Sequence, residues 1–338
     1  MKHIIPLFGF DEKDCSILPF GNGLINSTWQ VESKNKKYIL QRINNNIFKN
    51  PEDIAFNIRL IADYLKEHFP NYLFVNPSSA IDGKDLVKTE EGYFRMFPFV
   101  EGSHTIDVVE KPEQAYEAAR QFGRFAKFLS GLNATQLKIT LPDFHNLSLR
   151  YRQFEIALQT GNQERIQQSK DLISLIMQQK NIVNEFELCK MNLKVRCTHH
   201  DTKISNVLFD KDDKGLCVID LDTVMPGYFI SDVGDMMRTY LCPVSEDEKD
   251  FYKIIIRKEF YDAIVDGYLS EMGAELSEVE KKYFHYAGKF MIYMQAIRFL
   301  TDHLNNDVYY RAKYEGHNFV RAGNQITLLQ RLIEFNPG

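Results

Sequence analysis

The chain has 338 residues, with 41 Lys and Arg against 46 Asp and Glu for a net charge of −5. At roughly 150 residues per domain this is a two-domain length, with ample surface to bury in a stable core. A negative balance offers no broad basic face to neutralise a nucleic-acid backbone, and 44% hydrophobic with 26% charged residues is ordinary folded composition. Five cysteines (Cys15, Cys189, Cys197, Cys217 and Cys242) form an odd set without a C-x-x-C pair. Reduced thiols in a cytoplasm fit that set better than a disulfide framework or a zinc ribbon. Asp11 and Glu12 arrive before any small-residue cleavage site, which argues against a signal peptide. No segment approaches the roughly 18 uninterrupted apolar residues of a bilayer span, so the chain is expected to be cytoplasmic with no membrane partner.

In chain order, two short stretches rich in Ile, Trp, Tyr and Val, 24–32 and 37–43, flank the turn-prone 33–36 and predict a hairpin. Pro51, Glu52 and Asp53 open a helix, with Ile54, Ile58, Ile61 and Leu65 at helical spacing over 52–67. One strand is expected within 89–102. From Lys111 onward helical periodicity dominates: Tyr116, Ala119, Phe122, Ala126 and Leu129 recur at three- and four-residue steps. Similar patterns run through about 165–190, 247–271, 276–304 and 318–333. One island interrupts them: 194–222 holds two short apolar runs around the polar turn 211–215, which reads as a β-hairpin.

That island carries the strongest chemical signal. His199, Asp201 and Asn206 lie in an H-x-D-x4-N spacing, and Asp220 follows fourteen positions after the Asn. Phosphoryl transfer needs a carboxylate to accept the proton of the attacking hydroxyl and oxygen ligands for the Mg²⁺ ions that offset phosphate charge. Asp201 suits the first task. Asn206 and Asp220 suit the second, because a hairpin brings the residue before its first strand close to one at the end of its second. About 0.04 chance matches to the spacing are expected in a chain of this composition. Upstream, Gly21, Asn22, Gly23 and Asn26 form a loop between strands that lets backbone N–H groups approach phosphate oxygens.

These residues, in this order, resemble the aminoglycoside phosphotransferase superfamily of small-molecule kinases. The resemblance implies an α+β, protein-kinase-like two-lobed fold. Residues 1–100 would form a small β-rich nucleotide-binding lobe with one helix, and 101–338 a mainly helical lobe with the catalytic hairpin. The stretch from Ile297 to Tyr310, with Asp220 to Gly227, resembles in particular the N-acetylhexosamine 1-kinases, whose relatives are sometimes labelled mucin desulfatases. No C-x-P-x-R sulfatase motif surrounds any cysteine.

The resemblance implies ATP between the lobes, with adenine near Pro98, Phe99 and Val100 and its phosphates under residues 21–26. It implies Mg²⁺ on Asn206 and Asp220, Lys203 beside the Asp201 base, and a sugar held by Arg298 and Tyr309 with its anomeric hydroxyl at Asp201. Three positions depart from the pattern. Gln41 stands where the phosphate-holding Lys is expected, with Arg42 as a one-residue-shifted substitute, and strand alternation sends the two to opposite faces. Asn57 falls where the partner Glu of that Lys belongs. Leu24 occupies a loop position where sugar kinases often carry His. Asp232 is expected to brace the catalytic loop or to cap a helix. The alternatives are a kinase for another hydroxyl compound (aminoglycoside, choline or homoserine type) and a degenerate kinase-fold binding protein. No oligomeric state follows from the residues.

Overall fold

The structure is a computed structural model that describes residues 1–21, 25–310 and 312–335. A five-stranded antiparallel sheet comes first, built from β1 (Cys15–Pro19), β2 (Ser27–Ser33), β3 (Lys36–Ile43), β4 (Val87–Thr89) and β5 (Gly92–Pro98), in the order β1-β2-β3-β5-β4. The β2–β3 hairpin closes through Lys34 and Asn35, both at positive φ (50° and 63°), the pair of left-handed residues that matches strand twist in a two-residue turn. Residues 89–102 are not one strand. The Glu91 N–H donates to Thr89 Oγ1 (3.1 Å) and Gly92 takes φ 125°, so Glu90 and Glu91 turn the chain from β4 into β5. Short 3₁₀ turns at Lys2–Phe8 and the edge strand β1 were not anticipated; Ile4, Ile5 and Phe8 close the outer face of the sheet against Val31, Leu40, Phe94 and Met96.

Helix α1 (Pro51–His68) follows β3 and buries Ile54, Ile58, Ile61 and Leu65 as its spacing requires. Ile43, on the inner face of β3, joins the same cluster. The rest of the chain is mainly helical. Helices α2 (Pro112–Phe128) and α3 (Leu147–Thr160) precede α4 (Gln163–Gln168), α5 (Lys170–Gln178) and α6 (Asn181–Asn192), which divide the periodic stretch 165–190 into separate segments. Strand β6 (Arg196–Thr198) leads to the hairpin β7 (Val207–Phe209) and β8 (Gly215–Val218), and β9 (Met225–Gly227) returns to pair with β6.

Then come α7 (Phe229–Tyr240), α8 (Lys258–Met272), α9 (Glu278–Lys282), α10 (Phe284–Leu304) and α11 (His317–Glu334). The expected helix over 247–271 starts only at Lys258, because Asp250 accepts the Tyr252 N–H and closes a 3₁₀ turn in the preceding loop. Helix α10 is buried along most of its length, so its Met and aromatic residues are core. A small antiparallel lobe and a larger helical lobe thus make up a kinase-like α+β fold. Among the described residues no helix is long and apolar enough to cross a membrane.

Candidate active site

The loop after β6 is fixed from both sides. Asp232, in the first turn of α7, accepts the His200 N–H at 2.7 Å and the His199 N–H at 3.1 Å, one on each carboxylate oxygen. It therefore braces the catalytic loop. Asp235, one turn later, accepts the Thr202 N–H (2.9 Å), and the Thr202 hydroxyl donates to the Asp232 carbonyl (2.7 Å). His200 sits at φ 68° with Nδ1 within 3.0 Å and 3.1 Å of the Thr198 and Thr223 carbonyls. Burial pushes its pKa down to about 4, so the ring is neutral. A Cβ on Gly227 would stand 2.4 Å from His200 Nε2, which is why β9 carries glycine there.

This frame presents Asp201. Its carboxylate lies 3.0 Å from Lys203 Nζ and accepts Asn206 Nδ2 at 3.1 Å, and the same Nδ2 donates to the Asp201 carbonyl at 2.8 Å. Burial alone would raise the Asp201 pKa, but the Lys203 ammonium, with help from His199 and Asn206, holds the carboxyl below its ordinary range. The Lys203 ammonium is raised in turn by Asp201. At the far end of the hairpin the Ile219 N–H donates to the Asn206 carbonyl (2.9 Å), which delivers Asp220 next to Asn206. Asp220 adopts left-handed backbone (φ 59°, ψ 60°) and stays solvent-accessible although protein crowds it. That crowding first, then the charges of Asp222 and Asp201, push its carboxyl up to about 7. Asp201, Asn206 and Asp220 are therefore brought together, as the hairpin argument requires.

On the sheet side, Gly21 takes φ 72° with open space around it, while Asn22, Gly23 and Leu24 lie outside the described residues. Asn26 reaches across the lobes: its Nδ2 donates to Asp222 Oδ2 at 2.7 Å. Gln41 faces inward and accepts Arg95 Nε and Nη2 at 3.0 Å and 2.8 Å. Arg42 shares the opposite face of β3 with Leu40, is exposed, and approaches Ser27 Oγ (3.5 Å), away from Gln41. In the linker Pro98 is exposed, the Phe99 N–H donates to the Lys37 carbonyl (3.1 Å), and the Val100 carbonyl accepts the Ser103 hydroxyl (2.6 Å). The Phe99 ring meets Phe20 edge-on at 6.1 Å, joining the linker to the start of the loop.

On the helical side, Arg298 of α10 lies 5.8 Å from the Phe144 ring, 6.0 Å from Tyr309 and 5.4 Å from Tyr310, and donates to Gln295 Oε1 at 3.3 Å. Among the described residues no carboxylate lies within 4 Å of its guanidinium. Tyr309 is 72% exposed, anchored by its backbone N–H to Asp302 (2.8 Å). Across the Phe144 and His145 pair lies the His200 ring, 5.3 Å from that of His145. Phe144 and His145 thus link Arg298 to the His200 ring of the loop after β6.

Comparison with known proteins agrees with the two-lobed fold. Residues 16–278 match the phosphotransferase enzyme family, APH, a span that includes β2 to β5, the loop after β6 and α7. The chain belongs to that family. Three solved structures share the fold of this phosphotransferase at low identity. A microcompartment-associated aminopropanol kinase is 14% identical over 98% of this chain and 96% of its own, with a TM-score of 0.71. A spectinomycin phosphotransferase in complex with ADP and spectinomycin is 12% identical over 95% and 93%, with a TM-score of 0.58. An ethanolamine kinase of Plasmodium vivax is 13% identical over 93% and 83%, with a TM-score of 0.57.

The donors of this phosphotransferase fit Mg²⁺. Asn206 and Asp220 supply hard oxygens, and Asp220 stays open to solvent. Among the described residues no three His, Cys, Asp or Glu side chains form a closed cage. Mg²⁺ at phosphate sites takes only one or two protein carboxylates and completes its shell with phosphate and water. Two residues of the site escaped the sequence reading. Arg95 is an ordinary strand residue until the register opposes it to Gln41, and Asp222 lies unremarked within the stretch from Asp220 to Gly227. Only strand pairing, which no local pattern specifies, would have revealed the first.

Proposed function

We propose that this phosphotransferase is an ATP- and Mg²⁺-dependent kinase that phosphorylates the anomeric hydroxyl of an N-acetylhexosamine to give the 1-phosphate. The observation that carries the phosphoryl-transfer reading is the Asp201 carboxylate, held by Asn206 at 3.1 Å and by Lys203 at 3.0 Å beside Asp220. Asp201 accepts the proton of the acceptor hydroxyl as its oxygen attacks, and Asn206 and Lys203 keep the carboxylate ionised and aimed. Asn206 and Asp220 would hold Mg²⁺, which would offset the negative charge of the phosphoryl group that bound ATP supplies. Gly21 and Asn26 border the phosphates, and Pro98, Phe99 and Val100 border the adenine.

The acceptor reading rests on Arg298, a guanidinium walled by Phe144, Tyr309 and Tyr310 without a carboxylate partner among the described residues. A cationic amino alcohol calls for an acidic lining, whereas an unpaired guanidinium repels it and donates to sugar hydroxyl or acetamido oxygens. The test is an ADP-release assay over N-acetylglucosamine, N-acetylgalactosamine, aminopropanol, ethanolamine and choline, with the phosphate position read by ³¹P NMR. Turnover on an N-acetylhexosamine with a 1-phosphate product is expected. Turnover confined to the amino alcohols refutes the sugar assignment, and nucleotide binding without turnover on any acceptor favours a non-catalytic protein.

A further inference from the structure

We infer that Arg95 is the side chain that grips the nucleotide phosphates, supplying from β5 the positive charge that this chain lacks at Gln41 of β3. The inference rests on the nucleotide site proposed above. The register places Thr28, Gln41 and Arg95 side by side on the inner face of three adjacent strands. Gln41 Nε2 donates to Thr28 Oγ1 (3.3 Å), and Gln41 Oε1 accepts both Nε and Nη2 of Arg95. One edge of the guanidinium is thus clamped by a neutral amide, which fixes its plane and aims the other edge, Nη1, at Asp222.

That other edge is paired with a carboxylate: Nη1 stands 2.5 Å from Asp222 Oδ1, with the two side chains 4% and 3% exposed. Held by an amide on one side and a carboxylate on the other, the guanidinium keeps a fixed positive charge on the inner face of the sheet beside Gln41, where anionic phosphate oxygens need one. The acid that would pair with a β3 lysine is also absent. Asn57, at its place on α1, is occupied with the Lys138 and Val224 backbone (2.8 Å to 2.9 Å). Cation and counter-ion have both moved: Arg95 from β5 and Asp222 from the catalytic segment form the pair. Asn26 Nδ2 holds the second Asp222 oxygen at 2.7 Å and its Oδ1 accepts the Asn44 N–H at 3.0 Å, which ties this pair to the chain entering β2.

The competing reading is a purely structural ion pair that ties the lobes together. Calorimetric titration of the full-length protein with adenosine and with ADP separates the two. Arg95→Gln is expected to weaken ADP at least tenfold and leave adenosine unchanged, and adding Gln41→Lys is expected to recover part of the ADP affinity. Unchanged ADP affinity in Arg95→Gln, or equal losses for ADP and adenosine, overturns the assignment. Absence of both ligands from the wild-type protein overturns the nucleotide site itself. Should Arg95→Gln fail to fold, a crystal structure of the wild-type protein with ADP decides: a phosphate oxygen within 3.5 Å of Arg95 supports the assignment, and a guanidinium touching only Asp222 and Gln41 removes it.

Discussion

Asp201 is shaped by neighbours that each do a separable job. Asn206 fixes the orientation of the carboxylate through one amide nitrogen shared between side chain and backbone oxygens, and Lys203 keeps it ionised. Asp201→Asn preserves shape and removes basicity. A positioned base contributes about 10²–10⁴ in rate, so turnover should fall by about 10³ while ADP affinity stays within about twofold of wild type. Near-wild-type turnover in that variant strips Asp201 of the base role. Lys203→Met asks a different question. The ammonium favours the charged carboxylate, so its loss raises the Asp201 pKa and makes protonation easier. The acid limb of kcat/KM should therefore move to higher pH, with the alkaline limb in place. Because the Lys203 side chain is 46% exposed, added salt should shrink the wild-type offset in the same direction, and a profile indifferent to Lys203→Met contradicts the coupling.

Among the elements, α1 is fastened to the helical lobe by a polar side chain as well as by its apolar stripe. Asn57 is fully buried and makes three hydrogen bonds to the Lys138 and Val224 backbone, while the apolar stripe of the same helix packs into the large core. Asn57→Ala leaves one buried and two part-buried backbone groups without their partner, predicting a loss of about 1–3 kcal/mol read from urea unfolding. A loss under about 0.5 kcal/mol shows that α1 is held by its apolar stripe alone. The same residue shows where sequence legibility ends. The catalytic loop and Asp220 were readable because their partners lie within one local ribbon, and the Asp232 brace because α7 follows that ribbon directly. Asn57 was identified only as a misfit in a pattern. Its true partners, at 138 and 224, are 81 and 167 residues away. The Gln41 and Arg95 pairing was equally hidden, since it depends on a register 54 residues apart. Residues 89–102 read as a single strand because a two-residue turn of Glu90 and Glu91 carries no Pro, Asn or Asp to announce it.

In the whole molecule the apolar core is split. One cluster runs from Ile43 and α1 through the helical lobe, and a second, smaller one seals the outer face of the sheet with Ile4, Ile5 and Phe8. Besides that shared cluster the lobes meet through polar ties: Arg95 and Asn26 with Asp222, and Asn57 with Val224. A small core with few apolar neighbours should open independently of the large one, since cooperative units follow buried contacts. Ile5 has no exposed surface, and truncating a buried Ile to Ala costs about 2–5 kcal/mol. Ile5→Ala is therefore expected to raise amide hydrogen exchange across β1, β2, β3 and β5 and to leave α10 and α11 at wild-type protection. ADP affinity should fall with it, because the sheet positions the side of the site that carries Gln41 and Arg95, while ADP added in excess should restore protection to the sheet by mass action. If exchange accelerates equally in the sheet and in α10, the two clusters unfold as one unit and the polar ties are as strong as either core.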